Sequence, residues 1–132
     1  MRKKEPLRYI ENAKEILKKS GIEANYYTDI KYVKTALGCA YLGILKAIDE
    51  FLLSKGLTKE RLPKKTEEYE KALKRYGGVH NGRLMRHFNN LYHQLHIAGY
   101  YRGDLRSVKI IKEALSGAKE FIEKILPEKG GV

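Results

Sequence analysis

"TDIKYVKTALGCAYLGILKAIDEFLLSK", residues 28–55, carries apolar side chains at the three- and four-residue spacing of an amphipathic helix, and Gly56 follows it directly. The stretch predicts a helix from about Thr28 to Lys55, with a length of roughly 40 Å. The expected buried stripe of this helix consists of Ile30, Val33, Leu37, Ala40, Tyr41, Ile44, Ile48, Phe51 and Leu52.

The same helix contains a row of small residues that would let a neighbouring helix approach closely: Ala36, Ala40, Gly43 and Ala47. A glycine inside a helix costs about 1 kcal/mol relative to alanine. The presence of both Gly38 and Gly43 therefore indicates tight packing at positions where a Cβ atom would clash.

The rest of the chain has helical periodicity too, and no stretch alternates convincingly with a period of two. A first helix is expected from Pro6 to Gly21. A third segment begins near Thr66, breaks at "GGVHNG" (77–82) and resumes to Gly99. A fourth opens at Asp104 as its N-cap and closes before Pro127, and residues 127–132 form a frayed tail.

These segments predict one domain over residues 1–132, an all-α antiparallel four-helix bundle with the third helix interrupted near 77–82. No apolar run reaches the roughly 18 residues that a membrane span requires, so no membrane association is expected. The core should contain Leu37, Ile44, Ile48, Phe51, Leu84, Phe88, Leu91, Leu95, Ile111, Leu115 and Ile122.

The composition limits the partners and the compartment. The 27 lysines and arginines against 16 acidic residues give a formal charge of +11, which favours RNA, DNA, an anionic membrane or an acidic partner. The same charge in a lysine-rich domain can also serve solubility alone. A single cysteine, Cys39, excludes an internal disulfide and predicts a cytoplasmic protein.

"RHFNNLYH", residues 86–93, divides polar from apolar residues on the third segment. At 100° per residue, one face holds Leu84, Phe88, Leu91, Leu95 and Ala98, and the opposite face holds Arg86, Asn89, Asn90 and His93. The simplest interpretation of the polar face is a solvated surface behind the core.

Two longer stretches resemble HEPN domains. "ALGCAYLGILKAIDEFLLSKGL" (36–57) resembles the second helix of that family, and "LYHQLHIAGYYRGDLRSVKIIKEALSGAKEFIEKI" (91–125) is similar to its late helices. Together the two stretches span most of residues 28–126. The resemblance implies a helical bundle that forms a homodimer, contacts RNA, and has a nucleotidyltransferase-type protein as a candidate partner.

Many HEPN domains are metal-independent ribonucleases with an arginine, a polar residue and, after four to six intervening positions, a histidine. Arg86, His87 and His93 fit this spacing, with His87, Asn89 and Asn90 as supporting polar residues. The resemblance implies that His93 would transfer the 2′-hydroxyl proton while Arg86 stabilised the phosphate charge. Leu95 stands where the family carries an arginine, and Gly99 where it carries an aspartate; these departures favour a non-catalytic member.

Tyrosine pairs and basic residues provide candidates for nucleic-acid binding. Tyr26–Tyr27 precedes the second helix and Tyr100–Tyr101 follows the third, so an antiparallel bundle would place both pairs near one end. There they either stack bases or plug the end of the bundle with their hydroxyls in water. The nucleic-acid-binding candidates are Arg83, Arg102, Arg106, Tyr100 and Tyr101.

No metal and no cofactor is expected. His93 and His96, three residues apart, could share a metal, as could His80 or His87 by folding back, but such a pair needs two more ligands. No cysteine lies close, and the acidic residues nearest in sequence belong to other segments.

Three functional hypotheses remain. The first is a HEPN-like, non-catalytic homodimer that contacts RNA or a nucleotide-handling partner. The second is a metal-independent ribonuclease that uses Arg86 and His93. The third is a protein–protein interaction bundle with no nucleic-acid role. The dimer interface is expected on the third helix, or on the second with its row of small residues.

Overall fold

The computed structural model describes residues 5–78 and 81–126. Within these residues the chain forms, in order, α1 (Glu5–Leu17), β1 (Ile22–Glu23), β2 (Tyr26–Tyr27), α2 (Ile30–Ser54), a 3₁₀ turn (Lys59–Arg61), α3 (Thr66–Tyr76), α4 (Asn81–Leu91), a π-helix (Tyr92–Tyr101) and α5 (Val108–Ile125). The all-α class is confirmed. The described part of the chain has five α-helices instead of the four expected, because the break after Tyr76 separates α3 from α4. The tail expected at 127–132 lies outside the described residues.

Helix α2 is the centre of the fold, with α1, α5, α3 and the π-helix all in contact with it. Its first turn is capped by the Asp29 side chain, which accepts a hydrogen bond from the Lys31 amide at 3.2 Å. The helix ends before Gly56, which has a φ of +101°, and the Leu57 amide donates to the Leu52 carbonyl oxygen. These caps limit α2 to within two residues of the predicted ends.

The two interior glycines of α2 lie where neighbouring helices approach its backbone. A Cβ atom at Gly43 would lie 2.8 Å from Tyr9 Cβ on α1, and one at Gly38 would lie 2.8 Å from the Tyr100 ring. The prediction of tight packing at both glycines is confirmed. The small residues Ala36, Ala40, Gly43 and Ala47 are buried inside the chain, so this row is not available for the expected dimer interface.

A short hairpin joins α1 to α2, although the sequence shows no alternation with a period of two. Ala24 and Asn25 both have positive φ, as a two-residue turn of this kind requires, and two residues on each side pair. Strands this short give no periodic signal. The Tyr27 amide also donates to the Arg106 carbonyl oxygen, which attaches the hairpin to the loop before α5.

Two predicted helix ends are wrong. Helix α1 ends at Leu17 rather than Gly21, because the amides of Lys19 and Ser20 bond to carbonyls three residues back and tighten the turn. Helix α5 begins at Val108, capped by Ser107 instead of Asp104. The Asp104 amide donates to the Ala98 carbonyl oxygen at 2.8 Å and so belongs to the end of the π-helix.

The π-helix continues α4 with a wider turn. At its end the Arg102 amide donates to the Ile97 carbonyl oxygen, five residues back, at 2.9 Å. The wider turn changes which residues face the core: Gly99 is buried, and Ala98, predicted for the apolar face, is only half-buried. The prediction of which residues face the core is therefore wrong after Leu95.

The predicted core is otherwise confirmed except for Phe51, which is half-buried, while its neighbour Leu52 is fully buried. Phe121, which was not predicted, lies in the core at the contact of α4 with α5. None of the helices in the described residues is both long enough and apolar enough to cross a membrane.

Candidate nucleic-acid interface

Two exposed tyrosines end the π-helix beside the first turns of α2. The side chain of Tyr100 is 47% exposed and that of Tyr101 is 73% exposed. Both border an open hollow of about 350 Å³, and α2 contributes Lys31, Lys34 and Thr35 to its lining. We call these five residues the tyrosine–lysine surface. Sequence reasoning identified its two tyrosines but not its lysines.

Close contacts between helices explain why lysines from α2 meet tyrosines from the π-helix. The Tyr100 ring lies against Gly38, one helical turn after Lys34. Beyond the π-helix, Gly103 has a φ of +67°, and a Cβ atom there would lie 3.2 Å from Cδ of Lys34. The chain therefore turns back over the aliphatic stem of Lys34. Nothing in the local sequence around the two lysines indicates this contact.

Tyr100 also belongs to a column of aromatic rings along the π-helix. The Tyr100 and His96 rings are stacked at 5.7 Å with an angle of 15°, and the His96 and Tyr92 rings at 5.5 Å with 26°. Tyr41 of α2 stacks on His96 at 4.9 Å. Sequence reasoning missed this aromatic column. The four-residue spacing of Tyr92, His96 and Tyr100 was a signal, because side chains four residues apart lie on the same side of a helix.

The inner end of the aromatic column is held by a hydrogen bond. The Tyr41 hydroxyl lies 3.3 Å from Oγ1 of Thr66 at the start of α3. Burial raises the pKa of the Tyr41 hydroxyl, so the group is neutral at pH 7. The column therefore extends from a buried, hydrogen-bonded tyrosine to the exposed Tyr100.

The other predicted tyrosine pair divides between core and surface. Tyr27 is buried, whereas Tyr26 is exposed and its backbone pairs with Ser107. The predicted basic residues Arg102 and Arg106 are exposed in the loop that starts at the end of the π-helix. This loop thus lies between the two tyrosine pairs, as an antiparallel arrangement predicts.

The polar residues of "RHFNNLYH" lie mostly in solvent. The side chains of Arg86, Asn89, Asn90 and His93 are exposed, as is that of Arg83 near the start of α4. Within the described residues no hydrogen bond or ion pair connects Arg86 with His93. Arg83 lies on the order of 25 Å along the helix axis from Tyr101, so it belongs to a different surface.

His87 was predicted as a supporting polar residue, but its ring lies in a contact between two helices. Its ring packs edge-on against Phe121 of α5 at 5.3 Å, and the side chain is half-buried. Burial lowers the pKa of His87, and the positive charge of Lys124 lowers it further. His87 therefore packs at the contact between α4 and α5.

The two departures from the HEPN pattern occupy packed positions. Leu95 is completely buried, and a Cβ atom at Gly99 would lie 2.5 Å from Leu37 Cδ1. A charged side chain at either position would enter the core without a partner, which is strongly unfavourable. The residues here therefore suit helix packing and not an arginine–aspartate pair.

Metal-ligating side chains do not cluster in the part of the chain that the structure describes: no group of three histidine, cysteine or acidic residues lies within reach of one ion. His80 lies outside the described residues. Cys39 is a free, half-buried thiol whose Sγ lies 3.5 Å from the Tyr9 carbonyl oxygen, and burial raises its pKa.

Comparisons with known proteins place the chain in a family. A family model described as Domain of unknown function (DUF5618) matches residues 1–127. A solved structure described as a protein of unknown function from Dyadobacter fermentans is 30% identical, with a TM-score of 0.74 over 92% of this chain and 89% of that chain. No curated protein matches, and neither description names a HEPN domain. Since the family model matches nearly the whole chain, the chain belongs to the family Domain of unknown function (DUF5618).

Proposed function

We propose that this chain is a HEPN-like, non-catalytic domain that binds single-stranded RNA through the tyrosine–lysine surface. The observation that carries the proposal is the pair of exposed tyrosine rings that share one hollow with two lysines. Bases of a single strand stack on aromatic side chains, while lysines neutralise the phosphates between them. The formal charge of +11 would attract RNA to the domain from a distance.

The fixed position of Tyr100 supports the proposal. The ring lies against Gly38 of α2 and is stacked with His96 of the aromatic column, while the side chain stays 47% exposed. A platform that is already ordered loses little conformational entropy when a ligand binds, so more of the stacking energy contributes to affinity. Tyr101, the more exposed of the two rings, would receive the adjacent base.

Fluorescence anisotropy with a labelled oligouridine tests the stacking role of Tyr101. Tyr101→Ala should weaken binding between about five- and a hundredfold, the usual loss for one stacked base. Tyr101→Phe keeps the ring and removes only the hydroxyl, so this variant should bind like the wild type. Wild-type affinity in Tyr101→Ala would show that the RNA site lies elsewhere.

The salt dependence of RNA affinity tests whether the two lysines of the tyrosine–lysine surface contact phosphates. The double variant Lys31→Gln/Lys34→Gln should flatten the slope of log affinity against log salt by about 1.4, since each phosphate contact to a single strand contributes about 0.7. Lys59→Gln/Lys71→Gln removes the same charge from exposed positions elsewhere and is the matched control. A wild-type protein that does not bind the oligouridine at low salt would favour the third hypothesis, a protein–protein interaction bundle.

The ribonuclease hypothesis has less support than RNA binding without cleavage. Arg86 and His93 are both exposed and no hydrogen bond or ion pair joins them, and Leu95 and Gly99 are packing positions. A nucleotidyltransferase-type partner rests on the HEPN resemblance alone and forms no part of the proposal.

A further inference from the structure

A second hollow, of about 670 Å³, lies between α1, the hairpin and α5, away from the residues of the tyrosine–lysine surface. Lys14 of α1 and Lys18, the residue after α1, lie along one side of it, and Lys112 and Lys119 of α5 along the other. None of the described residues that line this hollow is acidic. We call it the lysine-edged hollow.

The lysines of this hollow have little neutralisation from the protein itself. Lys18 pairs with Glu15 at 3.0 Å and Lys14 with Glu11 at 3.9 Å, but all four side chains are about half exposed or more, so these pairs are weak. Lys112 and Lys119 form no ion pair within the described residues. Four cations around one concave volume produce a positive potential that would concentrate anions there.

The floor of the hollow is largely apolar, and hydroxyl groups also line it. Leu17 and Leu115 are buried beneath it, and Ile22 at its edge is 59% exposed, although it is a large apolar side chain. Tyr27 also lines the hollow and is only 7% exposed, yet in the described part of the chain its hydroxyl has no hydrogen-bond partner. Burial raises the pKa of this hydroxyl, so at neutral pH it is protonated, and it can donate to a ligand because its oxygen is not closed off from the hollow.

We propose that the lysine-edged hollow binds an amphipathic organic anion, with one carboxylate or phosphate head on an apolar body. The lysines and the Tyr27 hydroxyl would hold the head, and the body would cover Leu17, Leu115 and Ile22. A purely charged ligand would leave the apolar floor exposed to water, and a neutral lipid would give the four lysines no anionic partner. The volume lies within the range of about 300–1,000 Å³ that is typical of small-molecule sites.

Isothermal titration calorimetry on the full chain tests the proposal, with decanoate and decyl phosphate as probes below their micelle concentrations. Acetate and inorganic phosphate present the heads without the body and should bind at least about a hundredfold more weakly, because burial of each methylene is favourable. The tighter of the two decyl probes identifies the head group. Equal affinity for acetate and decanoate, or comparable affinity for AMP, would overturn the proposal, since the site would then recognise charge alone.

Variants locate the binding. Lys112→Gln/Lys119→Gln should weaken decanoate at least about tenfold, whereas Lys109→Gln/Lys124→Gln, on the same helix but outside the hollow, should leave it unchanged. Tyr27→Phe keeps the buried ring and should weaken binding by roughly three- to tenfold. Undiminished binding in the first double variant and in Tyr27→Phe would place the ligand elsewhere. Tyr101→Ala should bind decanoate normally, so this proposal can fail or hold independently of RNA binding.

Discussion

Gly99 of the π-helix and Leu37 of α2 are in such close contact that a Cβ atom at position 99 would lie 2.5 Å from Leu37 Cδ1. The next residue of each helix repeats the relationship in the opposite direction, because the Tyr100 ring occupies the space over Gly38. Each helix thus contributes one glycine and one large side chain to a reciprocal contact. This contact fixes Tyr100, and with it the tyrosine–lysine surface, against α2.

Gly99→Ala should destabilise the protein by about 1–3 kcal/mol, because the added methyl group cannot fit without displacing Leu37. Gly117→Ala on α5 is the matched control. A Cβ atom there would lie 3.6 Å from Leu91, an ordinary contact, so the better helix former should stabilise by roughly 0.5–1 kcal/mol. Urea denaturation measures both variants, and a neutral Gly99→Ala would contradict the packing described.

Leu91→Ala should cost about 2–5 kcal/mol of unfolding free energy, since it leaves a cavity in a fully packed region. Phe51→Ala should cost less than Leu52→Ala, because Phe51 is half-buried and Leu52 is completely buried. The sequence predicted both residues for the buried stripe and Phe51 for the core. Thermal or urea unfolding of the three variants checks the order, and a Phe51→Ala loss larger than that of Leu52→Ala would contradict the difference in burial.

Asp49 should make the protein less stable as the pH rises through mild acid. Burial raises the pKa of Asp49, although the hydrogen bond from the Tyr69 hydroxyl, at 2.9 Å, acts in the opposite direction. Above a pH of about 4 the unfolded chain has lost this proton while the native state still holds it. The free energy of unfolding therefore falls between the usual pKa and the raised one.

Asp49→Asn removes the titration and leaves an amide oxygen that can accept from Tyr69. The stability of the variant relative to the wild type should increase from about pH 4 up to the raised pKa of Asp49, then stay constant. The comparison uses the urea unfolding midpoints of both proteins between about pH 3.5 and pH 7, measured at intervals of about half a pH unit. Parallel pH profiles for the two proteins would show that Asp49 titrates normally.

Purified wild-type protein should not cleave RNA in the presence of EDTA, because Leu95 and Gly99 depart from the catalytic pattern. His93→Ala and Arg86→Ala should leave stability unchanged, since both side chains are exposed. A gel assay with a labelled RNA checks the absence of cleavage. An EDTA-resistant activity that drops at least about a hundredfold in His93→Ala would instead establish the ribonuclease.

A homodimer is expected through the outer surface of α4 and the π-helix. Leu42 of α2 is 54% exposed and lies one turn beyond Gly38, the residue against which the Tyr100 ring packs; a dimer on this side would cover it. Light scattering should report a dimer at high micromolar concentration, and Leu42→Glu should shift it towards the monomer. Leu53→Glu, at another exposed leucine of α2, should not. A monomeric wild type would count against the dimer.

The sequence predicted what depends on local periodicity. Helix α2, the tight packing at Gly38 and Gly43, and nearly all of the named core follow from side-chain spacing and from the cost of glycine in a helix. The π-helix could not be predicted in this way, because a fixed 100° per residue assumes an α-helix. That assumption placed Ala98 instead of Gly99 in the core.

The binding surfaces depend on contacts between distant segments. Lys31 and Lys34 meet Tyr100 only because the π-helix crosses α2 at Gly38. The lysine-edged hollow combines residues of α1 and α5, which no local pattern relates. The tyrosines were identified because their position at the end of a helical segment follows from sequence order, whereas their charged neighbours follow from packing alone.

The hairpin has a consequence for the order in which the chain folds. Its backbone bonds with the loop before α5 join Asn25 to Val108 and Tyr27 to Arg106, residues near opposite ends of the sequence. Such non-local bonds must overcome a large loop-closure entropy, so they form after the local helices. A growing chain cannot make them until α5 has begun to emerge from the ribosome. Slow hydrogen exchange at the Tyr27 and Val108 amides would therefore mark molecules in which both ends have joined.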